Sequence, residues 1–110
     1  MITWNDFEKI DMRIGTIIEA LPFPEARKPA YKLQIDFGQE IGMKKSSAQI
    51  TMHYSPEELI GKQIVAVINF PPKQIGPIIS ECLVMGSYKP DGSVILMQPD
   101  KPTENGSLVG

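Results

Sequence analysis

The run Tyr31-Lys-Leu-Gln-Ile-Asp-Phe37 limits the possible folds of this chain more than any other stretch. Tyr31, Leu33, Ile35 and Phe37 alternate without a break with Lys32, Gln34 and Asp36, and Gly38 ends the run. Successive side chains of a strand point to opposite faces, so this period-two pattern requires one face in a core and the other in water. Other segments supply its partners. Met12–Ala20 reads as a strand with Met12, Ile14, Thr16 and Ile18 on one face and Arg13, Gly15, Ile17 and Glu19 on the other. Gly15 predicts a bend or bulge within it. Ile64–Phe70 is apolar enough to be a fully buried strand, and Leu83–Tyr88 and Ser93–Gln98 flank the turn Lys89-Pro-Asp-Gly92 as a hairpin. Met43–Thr51 is a poorer strand, polar on both faces, and reads either as an edge or as the lining of a cleft.

Two short helices and two loops fill the intervals. Thr3 is placed to cap a helix over about residues 4–9, with Trp4 and Phe7 on one face. Ser55-Pro-Glu-Glu-Leu-Ile-Gly61 carries a cap, a proline at the first position, Glu58 to complete a capping box and a glycine stop. Leu21–Ala30 and Asn69–Glu81 each hold three prolines, and the second also holds Gly76, which predicts no regular structure there. Five or six short strands with a helix before the fourth match a small Greek-key barrel of the OB type. A β-sandwich fragment is the alternative, and composition does not choose between them.

At 110 residues the chain fits one domain spanning 1–110. Its net charge of −2 argues against strong, general binding of nucleic acid, where phosphate neutralisation supplies most of the affinity. One cysteine, Cys82, leaves no partner for an intramolecular disulfide and no multi-cysteine zinc site, and reads as a core thiol. No apolar run spans a membrane and no signal peptide opens the chain, so a soluble, cytoplasmic protein is expected.

The residues point to binding rather than catalysis. His53 is the sole histidine, and no phosphate-cradling glycine loop or nucleophile elbow occurs. No enzyme activity, cofactor or metal is expected. Lys44-Lys-Ser-Ser-Ala-Gln49 combines two cations, two hydroxyls and an amide, the chemistry of either a polar ligand surface or a solvated edge strand. Asn69, Ser80 and Glu81 either satisfy the backbone of a proline-rich turn or face a ligand.

Several segments then resemble one family. Asp11-Met-Arg-Ile-Gly-Thr-Ile17, Tyr31-Lys-Leu33 with Ile35-Asp-Phe-Gly38, Ser55–Lys62 and Asn69-Phe-Pro-Pro72 with Ser80-Glu81 are similar, in order, to the motifs of the tRNA-binding OB-fold domain family. Phe23–Lys32, Lys45–Thr51 and Asn69–Pro72 resemble its CsaA-type, export-related chaperones. That resemblance implies a five-stranded OB-fold barrel with short helices, a homodimer, and an ATP-independent chaperone of unfolded or signal-bearing preproteins that works with a SecA-type translocation ATPase. Lys45, Ser46, Ser47 and Gln49 are then expected to face Asn69, Phe70, Ile75, Ser80, Glu81 and Met85 across a peptide cleft. The alternative is a tRNA-binding module using Arg13, Lys44, Lys45 and Lys73. Lys44-Lys-Ser-Ser-Ala-Gln49 and Ser80-Glu-Cys-Leu83 depart from the tRNA-binding motifs, which favours a protein client.

Overall fold

One long strand, β1 (Met12–Pro22), organises the computed structural model, which describes residues 1–110. It pairs antiparallel with β2 (Tyr31–Asp36), and its first half also pairs with β4 (Gln63–Val67). β3 (Met43–Ala48) lies outside β2, and β7 (Leu83–Val84) lies outside β4, giving the order β3-β2-β1-β4-β7. The sheet curls until β3 meets the segment entering β7, where the Glu81 N–H donates to the Lys45 carbonyl at 2.8 Å. The result is the expected OB-type barrel.

The inward faces of these strands form the core. Ile17, Ile35, Phe37, Leu59 and Ile64 are each at most 1% exposed. Leu59 comes from the one-turn helix α3 (Pro56–Leu59), which plugs the barrel between β3 and β4. The Ser55 side chain makes no capping bond, so the capping box is not formed. Burial of Leu59 and the Gly61 N–H donating to the Ile17 carbonyl at 2.7 Å hold the turn instead.

β2 follows its alternation residue for residue, and α1 (Trp4–Glu8) begins with the reciprocal Thr3–Asp6 capping box. Gly15 departs from expectation. The register break in β1 falls at Ile18, between the pairs Ile17↔Ile35 and Glu19↔Gln34. Gly15 serves close packing: a methyl group there would lie 2.7 Å from both Ile35 Cγ2 and Phe37 Cε1.

The proline-rich segment also differs. β5 (Lys73–Ile75) and β6 (Ile78–Ser80) form a hairpin through Gly76-Pro77, because Pro71 and Pro72 precede it and Pro77 occupies its turn. Gly76 has φ +54°, the left-handed backbone that a tight hairpin turn demands. The expected strand from Leu83 to Tyr88 breaks at Met85 into β7 and β8 (Gly86–Tyr88), and β8 pairs with β9 (Val94–Leu96). A short helix, α2 (Gly38–Ile41), follows β2 without a forewarning signal. Residues 108–109 form β10 (Leu108–Val109) against Met12 and Arg13. No helix is long and apolar enough to cross a membrane.

Candidate binding cleft

The two expected cleft walls touch. Besides the Glu81–Lys45 backbone bond, the Lys45 N–H donates to Glu81 Oε1 at 2.9 Å and the Ser47 N–H donates to Ser80 Oγ at 3.3 Å. Ser46 is 1% exposed and gives its hydroxyl proton to the Cys82 carbonyl at 3.0 Å. These bonds make residues 45–47 and 80–82 the closed end of the barrel seam. Ser46, Ser80 and Glu81 therefore hold the barrel shut here. Cys82 is buried beside them, and burial pushes its thiol pKa up to about 11, only partly opposed by the Ser46 hydroxyl.

Further along the same seam the walls part. A cleft of about 390 Å³ opens between residues 47–50 and residues 83–88, with Gly92 and Val94 at its end. Its lining contains no charged side chain. Ser47, Gln49 and Met85 were expected at such a site; Ala48, Ile50, Leu83, Val84 and Tyr88 were not. Leu83 and Met85 also border a second hollow of about 520 Å³, formed with Phe7, Ile10, Met12, Val67 and Phe70. The two openings adjoin at Leu83 and Met85. In this trough apolar side chains outnumber polar ones, with Lys9 and Asn69 at the second hollow, which Phe70, 56% exposed, also lines.

The remaining candidates have other roles. Asn69 borders the second hollow, but its side chain is engaged: Oδ1 accepts from the Asp11 N–H at 3.0 Å, and Nδ2 donates to the Lys9 carbonyl at 2.7 Å. Ile75 is half-buried on β5, outside both openings. Arg13 donates through Nε to Asp11 at 2.6 Å and through Nη1 to the Gly106 carbonyl at 3.1 Å, so it clamps the C-terminal segment. Lys44 is half-buried, whereas Lys45 and Lys73 are exposed.

A contact missed in the sequence lies outside the lining of the cleft. The exposed His53 lies 2.8 Å through Nε2 from the Ser93 hydroxyl, which donates to Asp91 Oδ1 at 2.5 Å. The Ser93 N–H donates to the same oxygen at 2.9 Å, and these two bonds hold the Asp91 carboxyl below its usual pKa. The arrangement lacks the logic of a nucleophilic triad, in which histidine accepts the serine proton and carboxylate orients histidine. Here the carboxylate takes the serine proton. No three His, Cys, Asp or Glu side chains gather as a metal site.

The family model described as "Putative tRNA binding domain" matches residues 12–108. The chain belongs to the tRNA-binding domain family. Within this family it is similar over its whole length to the crystal structures of chaperone CsaA from Bacillus anthracis (53% identity, TM-score 0.94, 99% of that chain) and of the CsaA chaperone protein from Picrophilus torridus (57% identity, TM-score 0.93, 100% of that chain). It is also 35% identical over 108 residues to a methionine–tRNA ligase of Parabacteroides distasonis. That match takes in 98% of this chain and 16% of the ligase, so the chain spans about a sixth of the length of such relatives.

Proposed function

We propose that this chain is an ATP-independent chaperone that holds unfolded or signal-bearing preproteins in the trough and passes them to a SecA-type translocation ATPase in the cytoplasm. The observation that carries the reading is the uncharged, largely apolar cleft at the seam, in a chain 53% and 57% identical to proteins titled CsaA chaperone. An apolar cleft suits exposed hydrophobic segments of many sequences, and Met85 supplies an adaptable surface. The test is suppression of aggregation of a chemically denatured substrate, without ATP. Protection is expected at stoichiometric amounts, and no protection at an excess would defeat the proposal.

A tRNA-binding module is the second reading, favoured by the family match and by exposed Lys45 and Lys73. Phosphate contacts release counterions, so tRNA retention on a filter should fall steeply with added salt and with Lys45→Glu and Lys73→Glu. No retention at low salt removes this reading. Either role is proposed for a homodimer. Its support is an apolar hollow of about 660 Å³ lined by Ile2, Thr3, Trp4, Phe7 and Gly110, with Trp4 80% exposed. Light scattering is expected to give twice the chain mass at micromolar concentration; a monomer mass refutes the dimer.

A further inference from the structure

The seam is closed at one end by hydrogen bonds and open at the other, where main-chain groups are left without backbone partners. Strand pairing of β3 ends at Ala48. Beyond it, neither Gln49 nor Ile50 makes a backbone hydrogen bond through its N–H or its carbonyl. On the opposite wall the direction of Val84 follows from the ladder. The Ile68 N–H donates to the Asp11 carbonyl, and antiparallel alternation then turns the polar groups of Ala66 toward β1 and those of Val67 toward β7. The Met85 N–H donates to the Val65 carbonyl, in phase with this pattern. Val84, paired with Ala66, therefore directs its own N–H and carbonyl away from β4 and into the seam.

We infer that an extended segment of a client chain inserts between residues 47–50 and 83–86 as an added β-strand, read mainly through its backbone. The inference rests on the chaperone reading and names the state of client that the cleft takes. Charge supports a peptide occupant, because no charged side chain lines the cleft: a phosphodiester chain would find no cation, whereas a peptide backbone is neutral and carries donors and acceptors in alternation. Strand addition at an unpaired edge gives affinity from main-chain bonds and leaves sequence preference to shallow side-chain pockets. The apolar side chains of Leu83 and Met85 would provide those pockets.

The experiment uses a short, unstructured, uncharged, fluorescein-labelled peptide rich in valine and threonine, together with a version carrying esters in place of its central amides. An ester removes the N–H donor and adds no bulk. Fluorescence anisotropy should show the ester peptide binding about tenfold more weakly, the size expected for losing one or two main-chain hydrogen bonds. Gln49→Pro, which removes one free donor from an exposed position, should weaken the all-amide peptide by several-fold with no change in melting temperature. If that variant unfolds, the ester comparison decides alone. Equal binding of amide and ester peptides, no binding of the amide peptide by protein that still suppresses aggregation, or displacement of bound peptide by tRNA would each overturn strand addition. Loss of aggregation suppression itself would instead defeat the chaperone reading.

Discussion

Ser46 and Cys82 show how a polar residue inside a barrel is tolerated. The Ser46 hydroxyl is satisfied by the Cys82 carbonyl, and the Cys82 thiol lies 3.9 Å from the Lys45 carbonyl. Ser46→Ala removes the shorter of the two donors to the Cys82 carbonyl, leaving the Ser80 hydroxyl at 3.4 Å, and should cost about 1 kcal/mol in urea unfolding. Peptide affinity of the folded variant should be unchanged, because the side chain does not reach the cleft. Cys82 adds a pH signature. Its folded pKa of about 11 lies above the ordinary 9.0, so burial favours the neutral thiol. Its contribution to stability is complete below pH 9 and is lost as pH rises through about 11. A urea midpoint falling across that window, with slow thiol labelling of native protein at neutral pH, is the expected result. Asp91 has the opposite sign. Its lowered pKa stabilises the fold above the ordinary carboxylate range and is lost as pH falls through the folded value.

At the level of elements, what could be read from sequence depended on whether the determining contacts were local. β2 and α1 were legible because alternation and a capping box lie within a few residues of one another. The β5–β6 hairpin was not, because proline content says nothing of where each proline falls, and these three avoid every position that would break the ladder. The site was legible in part. Gln49 and Met85 line a cleft, but the polar stretch 45–47 mainly closes the barrel, with partners more than 30 residues away. An opening that begins where a ladder stops leaves no mark in composition. Gly15 is a test of such non-local packing. Gly15→Ala drives a methyl group against Ile35 and Phe37 and should cost about 1–3 kcal/mol by thermal or urea unfolding, although alanine is ordinary in a strand.

At the scale of the whole molecule, both ends of the barrel depend on distant segments. The C-terminal residues are tied to β1 by the Gly106 N–H on the Ile14 carbonyl at 2.7 Å, the Ser107 carbonyl on the Ile14 N–H at 3.0 Å, and the Arg13 clamp. Removing residues 106–110 should therefore lower the melting temperature, measured by circular dichroism, by more than trimming an exposed tail would. The unpaired residue at Ile18 has a further consequence. A strand is spelled two letters at a time, inside then outside, and Ile18 is an extra letter: Ile17 faces in, Ile18 and Glu19 both face out, and Ala20 faces in again. The chain upstream and downstream of it is thus written in different frames. Were Ile18 instead to take the ladder place opposite Gln34, Glu19 would turn to the core and Ala20 to water, a frameshift in space. Deleting Ile18 would keep Glu19 out and Ala20 in and would remove only the bulge.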